Sequence, residues 1–127
     1  MVDVALLPGV YAVCRLATDA TLRPALWGEL SDVEVVSVSW SADGISVICP
    51  ASRAPAEAET EWRCLRVVGP LGRPVTGTLA ALVAPLAEAR VNVVAFSTYD
   101  TDHALVPAVR LDEATAALRR AGHRLLG

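Results

Sequence analysis

The sequence predicts an α+β fold, two tandem ferredoxin-like βαββαβ repeats, each an antiparallel sheet with helices on one face. Three observations point there. The second half reads strand, helix, strand, strand, helix, strand in its hydrophobic periodicity, and the first half shows the same order with worn helices. The chain also aligns on itself. Tyr11 to Leu16 lies over Trp62 to Val67, with an aromatic, an apolar core and an Arg in register, and Val36 to Pro50 lies over Val93 to Pro107 without a gap, pairing Asp43 with Asp100. Finally, 127 residues at 54% hydrophobic can fill a core but leave each half near the lower limit of independent stability, so the two are expected to share a core or join their sheets. The expected division is residues 1–61, a repeat with degenerate helices, and residues 62–127, a second and better-formed one.

Taken in order, Val10 to Ala17 is the first strand, punctuated by Pro8 and Gly9 and apolar on both faces. Pro24 to Leu30 predicts a turn or two of helix with Thr21 as its cap. Val33 to Trp40 and Gly44 to Cys49 are β-branched runs joined through an Asp43-Gly44 step, a hairpin signal. Pro50 to Glu61 is the one linker-like stretch, with a short helical piece expected after Pro55. Trp62 to Gly69 repeats the first strand.

Val75, Leu79, Leu82, Val83, Leu86 and Arg90 then recur at spacings of three and four, the stripe of an amphipathic helix. Pro74 suits its first turn, and Pro85 interrupts it, so a kink is expected there. Val91 to Thr98 and His103 to Val106 form a second strand pair. A last helix runs from Leu111, with Asp112 and Glu113 at its positive end, Arg119 and Arg120 at its negative end, and Gly122 as the terminating residue. His123 to Leu126 adds a short final strand.

Composition narrows the function classes. All eleven basic residues are Arg, there are fourteen acids, and the formal charge is −3, so no cationic surplus exists to neutralise a phosphate backbone and nucleic acid is not an expected partner. Apolar runs such as Val91 to Phe96 fall far short of the roughly 20 residues a bilayer span requires. The first residues carry an acid where a signal peptide has Lys or Arg, which gives a cytoplasmic expectation. Cys14, Cys49 and Cys64 are odd in number and lack ligand spacing, so they predict buried thiols and no metal or other cofactor.

An enzyme would have to draw on one of these cysteines as nucleophile and on His103 or His123 as base. The cysteines sit in strand-like apolar runs, however, and no phosphate loop, metal set or serine elbow is present, so catalysis is not expected.

Four segments carry a family resemblance: Leu7 to Arg15, Ile45 to Pro50, Trp62 to Pro70, and Val94 to Asp102 with its Ser-Thr-Tyr-Asp-Thr-Asp run. The Thr76-Gly77 step and the Pro-Leu-Ala run at Pro85 fit as well. In these the chain resembles ACT domain proteins, and among them the small bacterial proteins of two ACT-like repeats that are related to the cytosolic arginine sensors of animals. The resemblance implies regulation by a small molecule, most often an amino acid, held where ACT units meet. Carried onto this chain, the ligand elements are Gly69, Pro70, Leu71, Gly72, Arg73 and Thr76 on one side, and Ser97, Thr98, Tyr99, Asp100 and Asp102 on the other. It also implies a homodimer or a regulated protein as partner.

The residues themselves agree with that chemistry. A Gly-bearing loop running into a helix N-terminus offers N–H groups to a carboxylate, and acids with neighbouring hydroxyls offer acceptors to an amino group. Read without the resemblance, the same two stretches are a polar hairpin turn and a strand-ending turn. Related sequences carry an Asp-Phe pair where this chain has Gly72-Arg73, so an acid is replaced by a guanidinium at the mouth of the site. An inward Arg73 favours a ligand with a second anionic group and disfavours a cationic one, whereas an Arg73 turned to solvent sets no preference. A pure protein–protein interaction module without ligand is the alternative.

Overall fold

The computed structural model describes residues 2–68 and 76–126. Among them the strands are β1 (Asp3–Leu6), β2 (Tyr11–Leu16), β3 (Ser37–Ser41), β4 (Gly44–Pro50), β5 (Glu59–Val67), β6 (Val94–Ser97), β7 (Asp102–Pro107) and β8 (Arg124–Leu126), with helices α1 (Thr78–Glu88) and α2 (Leu111–Arg120). The α+β class and the ACT-like arrangement are as expected from sequence. Two compact units divide the chain: residues 2–7 with 63–68 and 76–126, and residues 8–62. β5 is shared between them at Trp62/Arg63.

In the first unit the sheet runs β6, β7, β5, β1, β8. β1 pairs antiparallel with β5, Val4 opposite Val67, and parallel with β8, Val4 opposite Leu125. The sheet is therefore mixed, where an all-antiparallel one was expected, and the strand responsible, β1, was not anticipated. Its four residues carry too short a pattern to announce a strand; their place is set by pairing with segments about 60 and 120 residues away.

Both helices lie over a core of Val4, Leu65, Val67, Leu82, Leu86, Val106, Ala114 and Leu118. Leu82 and Leu86, four apart, are fully buried, and together contribute about 4 kcal/mol of transfer free energy. α1 begins at Thr78 behind Gly77, whose φ of +85° cannot continue a helix, so it starts later than the first turn expected at Pro74; Pro74 and Val75 themselves lie outside the described residues.

The helix ends follow their termination chemistry closely. After α2 the His123 N–H bonds the Leu118 carbonyl at 3.0 Å and the Gly122 N–H bonds that of Arg119 at 2.9 Å, with Gly122 at φ +95°, a Schellman closure on the expected glycine. α1 closes the same way through Val91 to Leu86 and Arg90 to Ala87, with Arg90 itself at φ +59°. A side chain held in this left-handed region opposes folding by about 1 kcal/mol, which the two orphan carbonyls so satisfied offset.

The second unit orders its strands β3, β4, β2, β5. β2 and β4 pair from Tyr11/Pro50 to Leu16/Ile45, and β3 and β4 close as a hairpin at Ser41/Gly44. Gly44 is required there: its φ is +149°, and a Cβ would stand 2.8 Å from the Leu16 carbonyl oxygen. Ala12, Cys14, Leu26, Ile45, Val47 and Cys49 form the core.

Where short helices were expected, this unit has three-residue 3₁₀ turns, Pro24–Leu26 and Ala51–Arg53. Thr21 does not cap the first, whose N-cap is Arg23 without a side-chain bond, and the second precedes Pro55 instead of following it. A single turn leaves carbonyls unpaired, and Arg53 collects them. Its guanidinium donates to Ala25 (3.0 Å), Gly28 (2.6 Å) and Glu29 (3.2 Å) and reaches the Glu34 carboxylate at 3.3 Å. Five donors in a planar fork suit that task as no other side chain would.

Candidate ligand site at the β6–β7 turn

β6 and β7 pair from Val94/Leu105 to Ser97/Asp102, which fixes the turn between them. The turn is built by its own hydroxyls. Ser97 Oγ donates to Asp102 Oδ1 at 2.6 Å, and Thr98 Oγ1 accepts from the Asp100 and Thr101 N–H groups at 3.3 and 3.4 Å. The Thr98 N–H closes the loop on the Thr101 carbonyl at 3.0 Å. Asp102 is half-buried, and its second oxygen, Oδ2, has no hydrogen-bond partner among the described residues. Tyr99, 83% exposed, and Asp100 form the outer tip. Of the expected acceptors, Ser97 and Asp102 are bonded to each other, Thr98 accepts from the Asp100 and Thr101 N–H groups, and the Asp100 side chain is exposed at the tip.

Thr101, which the sequence did not single out, ties this turn to the end of β5. It is 1% exposed, and its Oγ1 donates to the Val67 carbonyl at 2.7 Å, two residues before Gly69. A threonine in a polar turn carries no mark of such a bond; only its burial reveals it. Gly69, Pro70, Leu71, Gly72 and Arg73 lie outside the described residues. Thr76 is described, exposed, and one residue ahead of Gly77, which holds the α1 N-cap at φ +85°.

Beneath the turn, His103 is 3% exposed and stacks on Phe96, ring centroids 4.8 Å apart. Burial first, and then the Arg66 charge, push its pKa down to about 4 against a smaller opposing pull from Asp102, so the ring is neutral at physiological pH. His103 Nδ1 and Arg66 Nε are buried without hydrogen-bond partners among the described residues. Buried polar atoms are seldom left so, and these two retain capacity for a polar group.

The cysteines and His123, named above as a nucleophile and a base, are placed as follows. All three cysteines are free and buried. Burial raises Cys14, and raises Cys49 to about 11 and Cys64 to about 12, the reverse of what a nucleophilic thiol needs. His123 is a fastener. Its Nδ1 accepts from the Val2 N–H at 3.2 Å, so the ring proton sits on Nε2, which donates to the Ala81 carbonyl at 2.7 Å. That carbonyl needs an outside donor because its normal helical partner would be the N–H of residue 85, and residue 85 is proline. Among the described residues no group of three His, Cys, Asp or Glu is placed to hold a metal, and no helix is long and apolar enough to cross a membrane.

Comparison with solved structures places the fold. A protein of Agrobacterium tumefaciens is 28% identical and superposes with a TM-score of 0.85, covering 98% of this chain and 92% of its own. A Vibrio cholerae protein of unknown function, described as a possible transport protein, is 20% identical at a TM-score of 0.70, covering 94% of this chain and 88% of its own. The regulatory subunit of aspartate kinase from Thermus thermophilus, in ligand-free form, is 15% identical at 0.59, covering 96% of this chain and 99% of its own. No curated protein sequence matches the chain. The model of the ACT domain matches residues 57–120, half of the chain. The chain belongs to the ACT domain family.

Proposed function

We propose that this protein is a cytoplasmic, non-catalytic regulatory protein that binds a free amino acid against the β6–β7 turn and the 69–76 segment. It is built from two ACT-like repeats, residues 1–61 and 62–127, in the manner of the tandem proteins related to the arginine sensors. Its output passes to a second copy or to a regulated protein. The observation that carries this reading is the Thr101–Val67 bond, which holds an acid-bearing, hydroxyl-lined turn beside the strand end leading into residue 69. The fold shared with an aspartate kinase regulatory subunit supports it.

In this arrangement Asp102 Oδ2, with Thr98 and the backbone around it, receives the α-amino group. Gly69, Pro70, Leu71, Gly72 and Thr76 present backbone and hydroxyl to the carboxylate at the positive end of α1. Ser97 holds the Asp102 carboxylate in place. Asp100 and Tyr99 border the opening. Arg73, a cation where the family resemblance implies an acid, selects an acidic side chain over a basic one.

The test is thermal melting with each common amino acid at millimolar concentration. At about 100 times its Kd a ligand adds about 2.7 kcal/mol and raises the midpoint visibly. Aspartate or glutamate is expected to exceed arginine, and Asp102→Asn, which preserves shape and removes charge, is expected to abolish the rise. No response to any amino acid contradicts the reading in favour of a ligand-free interaction module. A rise that survives both Asp102→Asn and Asp100→Ala places the ligand elsewhere.

A further inference from the structure

The second unit carries a cleft that the amino-acid site does not use. Where two helices of 11 and 10 residues cover the core of the first unit, only two three-residue turns stand beside the core of the second. The space left is a cleft of about 450 Å³ along residues 16–26 and 53–56, within the size range of small-molecule sites. Leu16, Ala20, Leu22 and Ala54, half-buried members of the core, give it apolar walls.

Its charged lining is of one sign. Arg23 and Arg53 both line it, no acid does, and this is a chain of net charge −3. Arg53 spends its guanidinium on Ala25, Gly28, Glu29 and Glu34, which fixes one wall. Arg23 is exposed, and its guanidinium has no partner among the described residues.

We infer that this cleft binds an organic carboxylate with an apolar body, the tail among Leu16, Leu22 and Leu26 and the carboxylate on Arg23. Apolar walls alone would accept any hydrophobe. The unpartnered cation at a preformed apolar cleft is what selects an amphipathic anion over a neutral molecule of the same length.

The experiment titrates octanoate, and separately octan-1-ol, into the full chain while amide chemical shifts are followed. Saturable shifts confined to residues 16–26 and 53–56 are expected, with octanol bound at least tenfold more weakly. Arg23→Glu should weaken octanoate at least tenfold and leave octanol unchanged. Leu22→Trp, which fills the cleft, should remove both. Equal affinity for acid and alcohol, octanoate binding unchanged in Arg23→Glu, shifts centred on residues 97–102, or no saturable shift at millimolar octanoate would each overturn the inference.

Discussion

Between pH 6.5 and about 4 the wild-type protein is expected to lose about 3 kcal/mol of folding stability that a His103→Leu variant retains. Above pH 6.5 the ring is neutral folded and unfolded, and contributes no pH dependence. As pH falls through the unfolded value of 6.5, the unfolded chain takes up a proton that the buried ring, beside Phe96 and the Arg66 charge, refuses until about 4. The unfolded state then binds more protons, so stability falls with pH, and the loss saturates below about 4 when both forms are protonated. Carboxylates titrate in the same range in both proteins, so the difference between the two urea-melting profiles isolates the histidine. Parallel profiles would mean that His103 is solvated and is not a neutral element under the turn.

A His123→Leu variant should lose about 2 kcal/mol, because it strands two part-buried backbone groups at once, the Val2 N–H and the Ala81 carbonyl, each at the low end of roughly 1–3 kcal/mol. The distinguishing result is the partner substitution. Pro85→Ala returns the N–H that the Ala81 carbonyl lacks, so His123→Leu should be less damaging in the Pro85→Ala background than in the wild type, by about 1 kcal/mol or more. Urea unfolding of the four proteins completes the cycle. Strict additivity would show that the histidine does not stand in for the missing helical donor.

Local chemistry made much of this fold readable. The Gly122 helix ending, the acids and arginines at the ends of α2, and the two aligned hairpins all follow from residues within a few positions of one another. What escaped depends on distant partners. β1 is defined by β5 and β8, and its parallel pairing with β8 is what makes the sheet mixed. Of the small helices of the second unit, the first begins at Pro24 as expected but is shorter, and the second lies a few residues ahead of the expected place, because a single turn has no periodicity; Arg53, not a local cap, holds the stretch from Ala25 to Glu34.

The candidate site divides along the same line. Ser97, Thr98, Tyr99, Asp100 and Asp102 stand out as a polar turn between strands, yet Thr101, the residue that positions them, acts through a carbonyl 34 residues away. Pro85 and His123 were each noticed in the sequence, one as a kink and one as a candidate base. Their relation as missing donor and replacement donor required the packed structure.

The most direct measurement of the central claim is a crystal structure of the full chain with the amino acid that raises its melting temperature most. The ligand's α-amino group is expected within hydrogen-bond distance of Asp102 and its carboxylate on backbone N–H groups of residues 69–77. An amino acid seated away from the β6–β7 turn, or a turn left unliganded at saturating concentration, would contradict it.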